Sequence, residues 1–212
     1  MQPLRLDHVA FWVADRPSRV AQCLDLLGMH VIDEQASFTL VGTSARHGKL
    51  TFFDAEGPRE PGALVRVGLR VPDLSAYGSS KVDLGEGIEV ELVEAPTNIE
   101  CDLDHIVLRS PDPDAAASSY ERLGFDRVGE TSVGVANQRV DLVAESFATE
   151  RPVLNHLGVL VENAWACIPA AAGAGATVDS VADAPNTIAV FVWGPDDVRI
   201  EFVEHKASFS LT

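Results

Sequence analysis

The sequence predicts an α+β chain made of tandem βαβββ modules: one unit, a strand, a helix and a few more strands, repeated four times. Three observations carry this. Leu6-Asp7-His8-Val9 and Leu103-Asp104-His105-Ile106 open matching strand-like runs. Each run meets a turn signal, Ala14-Asp15-Arg16-Pro17 or Pro111-Asp112-Pro113-Asp114, and then a helix-like stretch that stops at glycine, Gly28 or Gly124. An Asp before a helix and a Gly after it are the expected capping residues. Two further units open with Leu64–Leu69 and Leu154–Val159 and close on Ile88–Glu94 and Val198–Glu204, where apolar and polar residues alternate as in half-buried strands.

Each first helix is followed by short strands: Phe38–Leu40 and Leu50–Phe53 in one half, Ser132–Val135 and Val140–Val143 in the other. The units are expected to pair in chain order, as domains 1–97 and 98–212, with Ala95-Pro96-Thr97-Asn98 as connector. The interval from Arg66 to Glu91 is much shorter than that from His156 to Glu201, so the second unit is expected to be truncated in its helix and one strand. Pro169, inside the expected fourth helix, should delay or kink it.

Composition narrows the function. The chain has 212 residues, 46% of them hydrophobic, enough for a sizeable core, and a formal net charge of −16. Such acidity opposes binding to nucleic acid or anionic lipid and favours cations. The three cysteines, Cys23, Cys101 and Cys167, are far apart and form no C-x-x-C, which argues against a disulfide framework or thiolate metal site. No signal peptide or membrane span is visible, so a cytoplasmic location is expected.

Superposing the halves places His8 on His105, Arg66 on His156, Glu91 on Glu201 and Thr51 on Asp141. A single strand histidine is usually only a packed residue; these gain weight by falling at corresponding points of repeated units. On one face of a curved sheet, His105, His156 and Glu201 would offer two imidazoles and a carboxylate to one divalent metal, with Asp141 as a candidate fourth ligand. Two His and one carboxylate leave coordination positions open for substrate or O2. In the N-terminal half Arg66 would pair with Glu91 and repel a metal. Arg109 and Arg139 are candidate substrate-binding residues, and His205 shares the parity of Glu201.

Asp-His at a strand start, helices ending in Leu-Gly-Met or Leu-Gly-Phe, and the closing Pro-Asp-Asp-Val-Arg-Ile-Glu-Phe together resemble the vicinal oxygen chelate superfamily: glyoxalase I, bleomycin-resistance and fosfomycin-resistance proteins, and type I extradiol dioxygenases. The resemblance implies two cup-shaped mixed sheets with helices outside. It implies one divalent metal, Fe(II) favoured over Mn, Zn, Ni or Co, on His105, His156 and Glu201. A small substrate with adjacent oxygens would bind there, and His205 would serve catalysis. Dioxygenase-type chemistry is the first choice, a glyoxalase-like lyase or isomerase the alternative, and a metal-free bleomycin-resistance-type binding protein the third reading. The expected partners are that substrate and, in a homodimer, a second copy; a monomer is equally compatible.

Overall fold

The computed structural model describes all residues 1–212. The first module contains β1 (Pro3–Val13), α1 (Arg16–Leu27), β2 (His30–Glu34), β3 (Phe38–Gly42) and β4 (Lys49–Asp54). The second is short: β5 (Leu64–Val71), a 3-10 turn at Leu74–Ala76 where an α-helix would stand, β6 (Lys81–Asp83) and β7 (Glu89–Glu94). The third has β8 (Asp102–Ser110), α2 (Pro113–Arg122), β9 (Asp126–Gly129), β10 (Ser132–Val135) and β11 (Gln138–Ala144). The fourth has β12 (Leu154–Val161), α3 (Cys167–Gly173), β13 (Thr177–Asp183), β14 (Thr187–Trp193) and β15 (Arg199–His205).

Local chemistry sets the element ends. The Asp15 and Asp112 carboxylates accept hydrogen bonds from the Ser18 and Ala115 amides, capping α1 and α2. Gly28 closes α1 in the left-handed region at φ 65°. Pro169 falls in the first turn of α3, where its missing N–H costs nothing, and the helix runs only seven residues.

The modules do not pair in chain order. One sheet runs β13-β14-β15-β12-β1-β4-β3-β2 and so joins the fourth module to the first. The other runs β6-β7-β5-β8-β11-β10-β9 and joins the second to the third. These are here the terminal and central sheets. The expected division into 1–97 and 98–212 is thus replaced: residues 64–144 build the central sheet, and the two ends of the chain build the terminal one. The reason is that every module presents its opening strand as a free edge, and internal repetition says nothing about which edges meet. Here β1 meets β12 antiparallel, and β5 meets β8 in the same way.

One continuous core of 45 buried residues underlies both sheets. Gln138, from the central sheet, accepts a hydrogen bond from the Leu6 amide (2.7 Å) and donates to the Leu6 and Leu103 carbonyls. Arg5 pairs with Asp102 at 2.7 Å across the same seam. The longest helix has 12 residues, and none is long and apolar enough to cross a membrane.

Strand pairing at the centre of each sheet is interrupted at matching places. In β1 the pairing skips Asp7, between Leu6 and His8; in β12 it skips Asn155; in β8, Asp104; in β5, Val65. Each is a β-bulge, which turns two successive side chains to one face. Opposite each bulged histidine of an opening strand lies a glycine: Gly158 faces His8 and Gly68 faces His105. A β-carbon on either glycine would lie 2.3 Å from the imidazole. Gly68→Ala should therefore destabilise the chain by about 1–3 kcal/mol through overpacking, read as a lower urea midpoint. An unchanged midpoint would mean that the close approach constrains nothing.

Candidate metal centre

His8, His156 and Glu201 come together in the terminal sheet, with their ligand atoms all within 4.8 Å of one another. His8 Nε2 lies 3.0 Å from His156 Nε2 and 3.0 Å from Glu201 Oε2; His156 Nε2 lies 2.7 Å from the same oxygen. Register explains the convergence. Gly158 is opposite His8 in β1 and beside Glu201 in β15, so the missing side chain leaves the two free to meet above it.

The bulges orient the imidazoles. Asp7 is turned to the same face as His8, and its Oδ2 accepts from His8 Nδ1 at 2.8 Å. Asn155 does the same for His156 through Oδ1 at 3.0 Å. With Nδ1 committed, each ring presents Nε2 to the site, the arrangement that fixes the tautomer of a metal-binding histidine. Asp7 is itself tied to the buried Lys49 ammonium at 2.8 Å, with His205 Nε2 at 3.4 Å from its other oxygen.

The electrostatics follow from burial and proximity. Burial favours a neutral His8, but Glu201 and Asp7 outweigh it and push its pKa up to about 9. Burial lowers His156, which the Glu201 carboxylate only partly offsets. Glu201 is also buried, yet His8 and then His156 hold its carboxyl well below the usual carboxylate range. Asp7, fully buried, is likewise held low, by Lys49 first and then by His205 and His8.

The donor set fits a divalent ion. Bonds of about 2.1 Å to imidazole nitrogen and carboxylate oxygen place neighbouring ligand atoms about 3 Å apart when the angle is near 90°, and the three atoms here are 2.7–3.0 Å apart. The set lines a chamber of about 730 Å³, walled by Phe38, Phe53 and Phe191 among others, in the size range of small-molecule sites. Thr51, on β4, occupies the fourth strand position and lines the same chamber.

Of the residues expected from the sequence, His156 and Glu201 are brought together, and His205 lines their chamber. His105 is not with them. It lies in the central sheet, hydrogen-bonded to Asp104 at 2.8 Å and 3.6 Å from Glu91. There Arg66 stands where the terminal sheet has His156, and its Nε holds Glu91 at 2.7 Å. Asp141 is also in the central sheet, bound by Ser132 and by Arg139 at 2.8 Å, so neither Asp141 nor Arg139 reaches the chamber. Arg109 is spent on the Gly62 and Leu64 carbonyls and on Glu145. His8 replaces His105 because the correspondence between copies is as superposed, while the pairing joins the first module to the fourth.

Two pH effects follow for the metal-free chain. His8 is raised, so its stabilisation is complete below the ordinary histidine value and is lost as pH climbs through about 9. Glu201 is depressed, so its stabilisation is present above the ordinary carboxylate value and is lost on acidification. Thermal melts of chelator-treated protein should show Tm falling between pH 7 and 10; a flat profile would contradict the His8 ion pairs.

Comparison with known proteins comes from sequence and from shape. Residues 102–202 match the model of the Glyoxalase/Bleomycin resistance protein/Dioxygenase superfamily. No curated protein matches the chain in sequence. Among solved structures, a Bacillus subtilis protein provisionally named a dioxygenase aligns with a TM-score of 0.76 at 16% identity, over 98% of this chain and 87% of that one. Glyoxalase I from Zea mays aligns with a TM-score of 0.73 at 14% identity, over 94% and 92%. The cppA protein of Streptococcus pneumoniae aligns at 0.63 and 14% identity, over 96% and 98%. At these identities the likeness is one of fold. Residues 102–202 thus match the Glyoxalase/Bleomycin resistance protein/Dioxygenase superfamily in sequence, and the chain as a whole shares the fold of these solved structures.

Proposed function

We propose that the chain is a metal-dependent enzyme acting on a small substrate with two adjacent oxygens, and that its chemistry is of the dioxygenase type. The observation that carries this is the ligand set: two imidazoles and one carboxylate, with a threonine rather than a carboxylate at the fourth strand position. Such a set leaves several positions open, as iron oxygenases require, with Fe(II) favoured. A bound metal would supply Lewis-acid stabilisation to the substrate's oxygens and a place for O2.

The chain's own residues then have distinct tasks. Asp7 and Asn155 hold the two imidazoles with Nε2 forward. Lys49 balances the Asp7 charge, so His8 can act as a neutral ligand without leaving a buried carboxylate unpaired. The phenylalanine walls lower the polarity beside the ligand atoms, which strengthens the electrostatic contacts there. His205, on the chamber wall with its Nε2 3.4 Å from Asp7, would take up a substrate hydroxyl proton.

Elemental analysis of protein purified without chelator or affinity tag should give one divalent metal per chain. His8→Ala and His156→Ala should abolish it, whereas His105→Ala should retain it. Retention of metal by His8→Ala would remove the site. With Fe(II) bound, oxygen uptake on a panel of catechols is expected; turnover without oxygen consumption would point to a lyase or isomerase instead. His205→Gln should lower kcat by about 100-fold or more with metal content unchanged, and an unaltered kcat would exclude the proton role.

A further inference from the structure

The segment after β15 folds back over the chamber. Phe209 stacks on His205, with ring centroids 4.4 Å apart, and the Arg46 guanidinium lies over the Phe209 ring, 4.2 Å from its centroid. The segment is pinned to the β13–β14 turn: the Lys206 amide donates to the Asn186 carbonyl, and Ser210 donates to the Asn186 side chain. Phe209 and Leu211 thereby become chamber wall, facing a space also bounded by Phe38, Leu40, Phe53 and Phe191. Phe53 and Phe191 flank His156 at 6.1 and 5.2 Å, which gives an aromatic slot beside the ligand atoms.

The charges of this chamber are one-sided. Lys49 is the single lysine or arginine lining it, and its Nζ is taken by Asp7 and by the Ala45 carbonyl. Asp33 adds a further carboxylate. With one divalent ion held by Glu201, a substrate bound through one ionised oxygen leaves the centre neutral. A second acidic group on the substrate would enter with no cation to meet it, at a large desolvation cost.

We propose that the segment after β15 is part of the substrate site, and that with the phenylalanine slot it selects an uncharged, flat apolar body over an acidic one. Phe209 and Leu211 are the specificity-determining residues. This rests on the metal-chamber reading above.

Calorimetric titration of the Zn(II)-loaded full chain with catechol, naphthalene-2,3-diol and 3,4-dihydroxybenzoate tests it, with no turnover needed. Naphthalene-2,3-diol should bind on the order of tenfold more tightly than catechol, and 3,4-dihydroxybenzoate more weakly than either. Phe209→Ala should erase the naphthalenediol advantage while zinc stoichiometry stays at one. Leu211→Ala, outside the His205–Arg46 stack, should reduce it in part. Equal or tighter binding of 3,4-dihydroxybenzoate, or an unchanged advantage in both variants, overturns this proposal and leaves the metal centre standing. Failure of all three diols to bind overturns both.

Discussion

The antiparallel meeting of β1 with β12 is the contact on which the site depends. Each strand brings a bulge, so a carboxylate or amide and the following imidazole share one face instead of alternating. The meeting also sets Gly158 between His8 and Glu201, and a backbone without a side chain is what lets a histidine ring and a carboxylate from different strands touch. A one-residue slip would send all of these groups to the helix side. The buried polar cluster thus has its position dictated by backbone pairing, and the pairing in turn is held by the apolar residues on the opposite face: Leu6, Val9, Leu157 and Val159.

Much of this was legible in the residues. The repeat placed the modules, the caps marked α1 and α2, and superposing the copies put His8, Arg66 and Glu91 on their true counterparts. What the repeat could not carry was partnership. Two like modules pair equally well on paper, and the choice of first with fourth is made by contacts remote in sequence, such as Gln138 on Leu6. One local signal was there to be used. In Leu6-Asp7-His8-Val9, Leu103-Asp104-His105-Ile106 and Leu154-Asn155-His156-Leu157 the apolar residues are three apart instead of two. That break in alternation is the mark of a bulge, and it says that both polar residues look the same way. Chamber residues such as Thr51, Lys49 and Phe209 carry no such signal, since only the folded sheet brings them near the imidazoles.

The two sheets solve one electrostatic problem differently. Each gathers a histidine and a glutamate over a glycine. In the central sheet Arg66 supplies a fixed positive charge to Glu91, whose side chain remains 32% exposed. In the terminal sheet the glutamate is far more enclosed, at 10%, and only titratable imidazoles adjoin it. A guanidinium neutralises permanently; a proton on His8 can leave. One cluster is therefore a fixed structural ion pair, and the other carries a positive charge that can leave with its proton.

The discontinuous layout also bears on how the protein is made. His8 and His156 are 148 positions apart, and the opening strand has no neighbour on its inner side until residues 154–161 have left the ribosome. Residues 64–144 are contiguous and can assemble while the earlier segment waits. Any ion held by His8, His156 and Glu201 together could be captured only after residue 201 has been made, late in synthesis.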